Sequence, residues 1–227
     1  GDVYKRQCKY SGRYEEALRL FEKAVSLRTE KESIVFFRGL GDCYERLRRF
    51  DKAAEAYEKN KSEFPENASV RWDLAELYCK IGTAPMLDRA ILETEEILEL
   101  KKIRKSYYLV KLADIYQLKE DYAKAIELCE KALKEEPGYS RAYMRLADIY
   151  LNGMKNSRKA LKTMKTAFVS LRETDALYED CLRVMTEILG TRGSFKAARS
   201  YGDKAIGVWE KEYGSLQAYL DLSLIHI

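Results

Sequence analysis

The fold is decided by residues 112–150, which read LADIYQLKEDYAKAIELCEKALKEEPGYSRAYMRLADIY. A block of the form Leu-Ala-x-x-Tyr begins this stretch at Leu112 and recurs at Leu146. Leucine and tyrosine four residues apart lie on one face of an α-helix, and the small residue between them lets a neighbouring backbone come close. A turn at residues 119–122 and a proline at Pro137 interrupt the helical pattern. The stretch therefore predicts two short amphipathic helices and the start of a third.

A second block marks the second helix of each pair: alanine, three residues, a bulky residue, two residues and a further small residue. It is clearest at Ala125, Cys129 and Ala132. Its leading alanines lie 35 to 38 residues apart and define six copies, at Ala17, Ala53, Ala90, Ala125, Ala160 and Ala198. A helix pair of this size cannot bury its apolar face alone, so the period predicts hairpins that stack on one another.

The helix pairs are predicted at approximately residues 8–30, 33–66, 67–102, 105–138, 139–174 and 176–212, with a partial seventh at 215–222. We expect them to form one repeat domain over residues 1–227. The third pair carries an insertion at residues 83–86, in its inner turn, and the sixth has Gly202 where a bulky residue is expected. Less regular packing is expected in both. Residues 1–7 and 223–227 do not fit the pattern and are interpreted as non-native ends of a fragment.

Composition supports a helical protein. The 227 residues are 46% apolar and 34% charged, while 3 Pro and 12 Gly leave little material for the turns of an all-β fold. The net charge of +4 is small for this length, so nucleic acid is an unlikely obligatory partner. No apolar run approaches the ~20 residues that span a bilayer, and no signal peptide begins the sequence. We expect a cytoplasmic protein with no membrane partner.

Residue types argue against an enzyme. Five cysteines are scattered without a C-x-x-C pair, which is typical of free thiols used as small apolar residues. The single histidine is His226, so the usual general base of serine or cysteine catalysis is missing from the rest of the chain. We therefore expect no catalytic residue, no cofactor and no metal site.

The succession Leu-Gly/Ala-x-x-Tyr, Ala, aromatic, Ala and Pro resembles the tetratricopeptide repeat (TPR). The closest match runs from Leu112 through Tyr122, Ala125 and Pro137 to Tyr150, and the resemblance covers roughly residues 10 to 210. It implies an all-α fold, a right-handed superhelical α-solenoid of antiparallel helix pairs. It also implies a non-catalytic scaffold whose concave groove, lined by the first helix of each pair, binds a peptide or a helix of a protein partner.

Register within the repeat places a set of charged and apolar side chains in that groove: Arg38, Asp42, Trp72, Asp73, Tyr107, Lys111, Arg141, Met144, Arg145 and Arg183. One branch of the family holds a C-terminal carboxylate with lysines, arginines and paired asparagines. This sequence has Asp42 and Asp73 at the asparagine positions, and two aspartates would repel a carboxylate. We therefore do not expect that ligand.

The basic groove residues allow two interpretations. Acids one turn from Lys111 and Arg145 indicate solvated ion pairs with little binding role. Alternatively, the arginines supply forked donors to an acidic peptide, with Trp72, Tyr107 and Met144 as apolar anchors.

Two other functions remain open. The spacing and the phrase Tyr78-Cys79-Lys80-Ile81-Gly82 are similar to those of pentatricopeptide proteins, which bind RNA, although a groove that alternates acids with bases would repel phosphate. A regulatory TPR arm of a larger enzyme is the other alternative.

Overall fold

The computed structural model describes residues 2–27, 33–100, 104–170 and 177–213, and for residues 2–11 it describes the backbone alone. The described residues form α-helices, one π-helical segment and turns, with no strand among them. The chain divides into two compact units, residues 1–104 and residues 105–227, which are described separately below.

The described part of unit 1 forms five helices: α1 (Asp2–Leu27), α2 (Ser33–Arg46), α3 (Phe50–Glu63), α4 (Ala68–Ile81) and α5 (Ala84–Leu100). Helix α2 packs against α3 and α4 packs against α5, while α1 packs against α2 and α3 against α4. The first helices of the two pairs, α2 and α4, also touch each other. The apolar cluster between α1, α2 and α3 is formed by Leu18, Phe37, Leu40, Cys43 and Ala56.

Within unit 2 the described residues form six helices: α6 (Lys105–Leu118), α7 (Tyr122–Glu135), α8 (Ser140–Asp148), α9 (Ser157–Ser170), α10 (Tyr178–Thr191) and α11 (Phe195–Tyr213). A π-helical segment (Ile149–Gly153) continues α8. The pairs are α6 with α7, α8 with α9 and α10 with α11. Helix α8 touches both α6 and α10, so first helices of successive pairs again lie side by side.

These units confirm the predicted all-α fold of TPR-like helix pairs. The exact limits of each repeat stay predictions. The partial seventh repeat at 215–222 and the end at 223–227 lie outside the described residues, and residues 2–7 lie within α1.

Short turns join the helices of each pair, and side chains or left-handed residues complete several helix ends. Asn67 Oδ1 accepts hydrogen bonds from the amides of Ser69 and Val70 and caps α4, as expected for an asparagine at this position. Gly82, with φ of 72°, ends the same helix. At α8, in contrast, Ser140 is the first residue of the helix, and Tyr139, which precedes it, makes no side-chain cap.

The insertion of the third pair does not lie in a turn. Residues Ala84, Pro85 and Met86 form the first turn of α5, a helix of 17 residues where α2, α3 and α4 have 14. Proline is tolerated at the start of a helix because the amide hydrogen it lacks would have no partner within the helix there. The extra residues therefore lengthen the second helix instead of bulging from the hairpin.

The small residue of the Leu-Gly/Ala-x-x-Tyr block is buried wherever it is alanine: Ala75, Ala113 and Ala147 have no exposed surface. At Gly41 the close neighbour is a side chain, since a Cβ there would lie 2.1 Å from Cε1 of the Tyr57 ring. The expectation of close backbone contact is therefore wrong at this position. The space left by glycine is filled by the bulky residue of the partner helix.

The Tyr57 side chain is held both by burial of its ring and by hydrogen bonds of its hydroxyl. Its ring is 1% exposed, and its hydroxyl lies 2.7 Å from Asp42 Oδ1 and 2.9 Å from Glu45 Oε1. Burial, with these two carboxylates, raises the pKa of Tyr57 far above its usual value, so the phenol stays protonated. The ring thus joins α2 and α3 through both packing and hydrogen bonding.

A buried ion cluster centred on Glu93 joins three helices of unit 1. Glu93 Oε1 accepts a hydrogen bond from Lys61 of α3 at 2.7 Å, and Glu93 Oε2 accepts one from Arg71 of α4 at 2.9 Å. The Glu93 side chain is 12% exposed. Burial alone would lower the pKa of Lys61, but the bonds to Glu58 and Glu93 raise it on balance. The repeat pattern does not predict this cluster.

The packing at Gly41 predicts opposite outcomes for two glycine substitutions. We expect Gly41→Ala to lower the free energy of unfolding by about 1–3 kcal/mol, because the Tyr57 ring has no space to move. Gly202→Ala is the control, since a Cβ there would make an ordinary contact at 3.6 Å with Thr186. Alanine in the interior of α11 should raise stability by up to about 1 kcal/mol. Urea unfolding followed by circular dichroism measures both, and equal effects would contradict the proposed packing.

The Glu93 cluster predicts a large loss of stability for Glu93→Gln. We expect the free energy of unfolding to fall by about 3 kcal/mol, because two partly buried cations lose their shared carboxylate. Glu99→Gln on the same helix, where the side chain is exposed, should change it by less than about 0.5 kcal/mol. Thermal unfolding of the two variants separates them, and a Glu93→Gln variant as stable as Glu99→Gln would exclude a structural role for the cluster.

Candidate functional site

Two candidate residue pairs of unit 1 lie on its first helices. Arg38 and Asp42 belong to α2, and Trp72 and Asp73 belong to α4. Arg38 Nε donates to Asp73 Oδ2 at 2.5 Å, and Asp42 contacts the Tyr57 hydroxyl. Burial raises the pKa of Asp73, and the Arg38 guanidinium offsets only part of that rise. Asp42, Asp73 and Arg38 therefore all contact other side chains of the protein.

In unit 2 the first halves of α6 and α8 carry cations and aromatic rings. Lys111 Nζ lies 5.6 Å from the centroid of the Tyr107 ring, at the distance of a cation–π contact. Tyr139, just before α8, is close enough to Arg141 and Tyr107 for both to affect its ionisation. Burial raises the pKa of Tyr139, and the Arg141 guanidinium opposes that rise. We call Tyr107, Lys111, Arg141 and Met144 the basic–aromatic end; Met144 is half-buried against the apolar core of the unit.

Arg145 differs from Arg141, because acids on two helices surround it. Its Nε lies 2.5 Å from Asp114 Oδ1 in an ion pair, and both atoms are buried. Its Nη1 donates to Asp148 Oδ2 at 3.4 Å. Burial raises the pKa of Asp114, against the effects of Arg145 and Lys111. The charge of Arg145 is thus largely compensated.

Beside Arg145, the second half of α6, the α6–α7 turn, the start of α7 and the π-helical segment border an open cleft of about 520 Å³, which we call the acidic cleft. It is lined by Asp114, Gln117, Leu118, Glu120, Tyr122, Arg145, Asn152 and Gly153. Asp148 lies beside it and accepts hydrogen bonds from Gln117 Nε2 at 2.8 Å and from Asn152 Nδ2 at 2.7 Å.

The π-helical segment shapes one wall of the acidic cleft. The Met154 amide donates to the Ile149 carbonyl at 2.9 Å, a five-residue step that turns Asn152 and Gly153 toward the cleft. A Cβ at Gly153 would lie 2.6 Å from the Tyr122 ring, so glycine makes room for the aromatic residue that closes the α6–α7 turn. Sequence reasoning missed Gln117, Glu120 and Asn152, because repeat register alone does not reveal a π-helical step.

Arg183 lies on α10. Its side chain is 66% exposed and forms an ion pair with Asp180 of the same helix, at 3.5 Å. Others of the ten predicted residues likewise contact acids, a hydroxyl or an aromatic ring: Arg38 with Asp73, Asp42 with Tyr57, Lys111 with Tyr107, and Arg145 with two acids.

The described residues offer little for catalysis or metal binding. They contain no group of three or more histidine, cysteine or acidic side chains able to hold a metal ion. Among the described helices, none is both long and apolar enough to span a membrane. Cys43, Cys79, Cys129 and Cys181 are free thiols, three of them buried. Burial raises the pKa of Cys129 and of Cys181 to about 12, which makes these thiols poor nucleophiles.

Stacked helix pairs with first helices side by side define a helical repeat protein. Residues 3–166, well over half of the chain, match the family described as Tetratricopeptide repeat protein 21 ARM repeat. The chain belongs to this family. The recognition of a TPR protein from the sequence is thereby confirmed. No curated protein sequence matches the chain.

Solved structures share the fold. BtubC from P. vanneervenii is 19% identical, with a TM-score of 0.62, over 92% of each chain. A tetratricopeptide repeat protein from Parabacteroides merdae is also 19% identical, with a TM-score of 0.61, over 88% of this chain and 74% of that one. MamA from Desulfovibrio magneticus is 14% identical, with a TM-score of 0.55, over 80% and 98%. At these identities the similarity shows the fold alone.

Burial of the thiols predicts their reactivity. In a short pulse of iodoacetamide at about pH 8, we expect half-buried Cys79 to be alkylated at least about tenfold faster than Cys129 and Cys181, whose thiolates are scarce. Peptide mapping by mass spectrometry measures each site, and labelling in denaturant is the control that all can react. Equal labelling of the three in the native protein would contradict their burial.

Proposed function

We propose that this repeat scaffold binds a peptide or a helix of a protein partner on the face formed by α6 and α8 of unit 2. The observation that supports it is the division of this face into a basic–aromatic end and an acidic cleft. Helix N-termini carry partial positive charge and C-termini partial negative charge, so the side chains reinforce the polarity of the two helices. Such a face favours a partner segment whose charges run in the opposite order.

An acidic peptide is one of the two interpretations that the sequence allows, and the ion pairs indicate which residues would contact it. Arg141 is exposed, so this cation is positioned to meet a carboxylate, whereas Lys111 lies over the Tyr107 ring. Arg145 and Arg38 already contact aspartates, and a ligand carboxylate would have to displace those pairs. We therefore assign acidic recognition to Arg141, with Tyr107 and Met144 as apolar anchors.

The alternatives have less support. RNA binding needs a continuous positive surface, whereas Arg38, Arg145 and Arg183 each lie beside an aspartate. The TPR family is generally non-catalytic, and the absence of enzyme activity in this protein is part of our proposal. A regulatory arm of a larger enzyme and a cytoplasmic location stay predictions.

Selection of peptides from a random library displayed on phage tests the proposal. We expect enriched peptides with acidic residues, whose affinity falls at least about tenfold when Arg141 is replaced by Glu, because a charge-assisted contact becomes a repulsion. Lys131→Glu makes the same change of charge on exposed α7 and should alter affinity less than about twofold. Fluorescence polarisation gives the dissociation constants, and circular dichroism checks that both variants fold.

Two results would contradict the proposal: no enriched peptide, or enriched peptides that bind the Arg141→Glu variant as tightly as the original chain. A gel shift of RNA that weakens steeply with salt, in a protein that selects no peptide, would instead favour the nucleic-acid alternative.

A further inference from the structure

We infer that the acidic cleft between α6 and α8 binds a basic side chain, lysine or arginine, of the partner. This inference rests on the proposed function and adds a second anchor to it, at the end of the face opposite Lys111 and Arg141. Charge complementarity, unpaired hydrogen-bond acceptors and the shape of the cleft each support it.

The charges of the acidic cleft favour a cation. Three carboxylates, those of Asp114, Glu120 and Asp148, line it or lie beside it, against the single guanidinium of Arg145. Lys111 is near enough to affect Asp114, but its ammonium lies over the Tyr107 ring on the preceding turn. Even with Lys111 counted, acids outnumber bases. The C-terminal end of α6, with its partial negative charge, points the same way because it contributes Gln117 and Leu118.

Gln117, which lines the cleft, has a hydrogen-bond acceptor without a partner in the part of the chain that the structure describes. Gln117 Oε1 is buried and has no hydrogen-bond partner among the described residues, because the amide nitrogen of the same side chain donates to Asp148 Oδ2. Turning the amide over would place its oxygen against that carboxylate, so the network fixes its orientation. Leaving a buried acceptor unpaired is unfavourable. Ammonium and guanidinium groups carry only donors, so a bound cation would satisfy this oxygen once the Gln117 side chain turns toward it.

Arg145 does not convert the cleft into an anion site. Its Nε contacts Asp114 and its Nη1 contacts Asp148, so two of its three nitrogens already meet carboxylates. An incoming anion would have to compete with two aspartates and approach Glu120 as well. A cation instead shares the two aspartates with Arg145.

The walls of the cleft suit a long side chain with a charged tip. Leu118 and the Tyr122 ring provide apolar surface for methylene groups, and the acids provide the polar end. Glycine at position 153 keeps the Tyr122 ring in place, as described above. A volume of about 520 Å³ is ample for one lysine or arginine side chain together with water.

The inference is tested with single amino-acid probes on the whole 227-residue chain. Nα-acetyl-arginine amide and Nα-acetyl-lysine amide are titrated and followed by the side-chain amide signals of Gln117 and Asn152 in nitrogen-15 NMR spectra. We expect saturable shifts with dissociation constants on the order of 10 mM. Nα-acetyl-citrulline amide has nearly the shape of the arginine probe without its charge, and it should produce no saturable shift.

Two variants locate the site. Asp114→Asn should weaken binding of the arginine probe about tenfold, because one charge-assisted contact becomes neutral. Glu120→Lys changes an exposed turn residue, so folding is not at risk, and should weaken it at least about fivefold. Glu130→Lys on exposed α7 is the matched control and should leave affinity within about twofold.

Absence of saturable shifts, equal binding of citrulline, or unchanged affinity in Glu120→Lys would overturn the inference. These readouts do not depend on the selected peptides. If peptides bind through Arg141 but the probes do not bind, the inferred site for a basic side chain is wrong and the proposed function stands. If the probes bind but no peptide is selected, the cleft binds cations and the proposed function is wrong.

Discussion

The structure depends on close contact between helices at positions where a side chain is minimal or absent. Ala75, Ala113 and Ala147 are completely buried, and at Gly41 the missing Cβ is replaced by the ring of Tyr57. Protein interiors are packed as densely as organic crystals, so an added methyl group at such a contact has no space and would force the two helices of the hairpin to shift. The small residues determine how near the helices come, and the bulky residues opposite them fill what remains.

Polar contacts between helices make the arrangement of the hairpins more specific than apolar packing alone would. In unit 1, Glu93 joins Lys61 and Arg71 from two other helices, and Tyr57 joins α3 to Asp42 and Glu45 of α2. Each such group is costly to bury alone and acceptable only when its partners are in place. Alternative arrangements of the same helices would leave these groups unpaired, which favours one register of the hairpins.

The same principle determines which charges remain available on the candidate binding face. Arg145 and Arg38 resemble ligand-binding cations in the sequence, but both contact aspartates of a neighbouring helix. Arg141, by contrast, remains exposed at the surface. An ion pair between adjacent first helices neutralises one charge on each helix. The charge that the face offers to a ligand therefore depends on which residues are paired, and a count of its charged residues does not predict it.

The sequence by itself determined the helical class, the family and the repeat period, because a spacing of four between Leu and Tyr and a recurrence every 35 to 38 residues are local properties of the chain. It also placed Arg38, Asp73, Lys111 and Arg145 on first helices. Only the tertiary structure decided that Arg38 meets Asp73, that Arg145 meets Asp114, and that a π-helical step brings Asn152 to a cleft with Gln117. Those contacts join residues some 30 positions apart, and their distances depend on how one hairpin rests on the next.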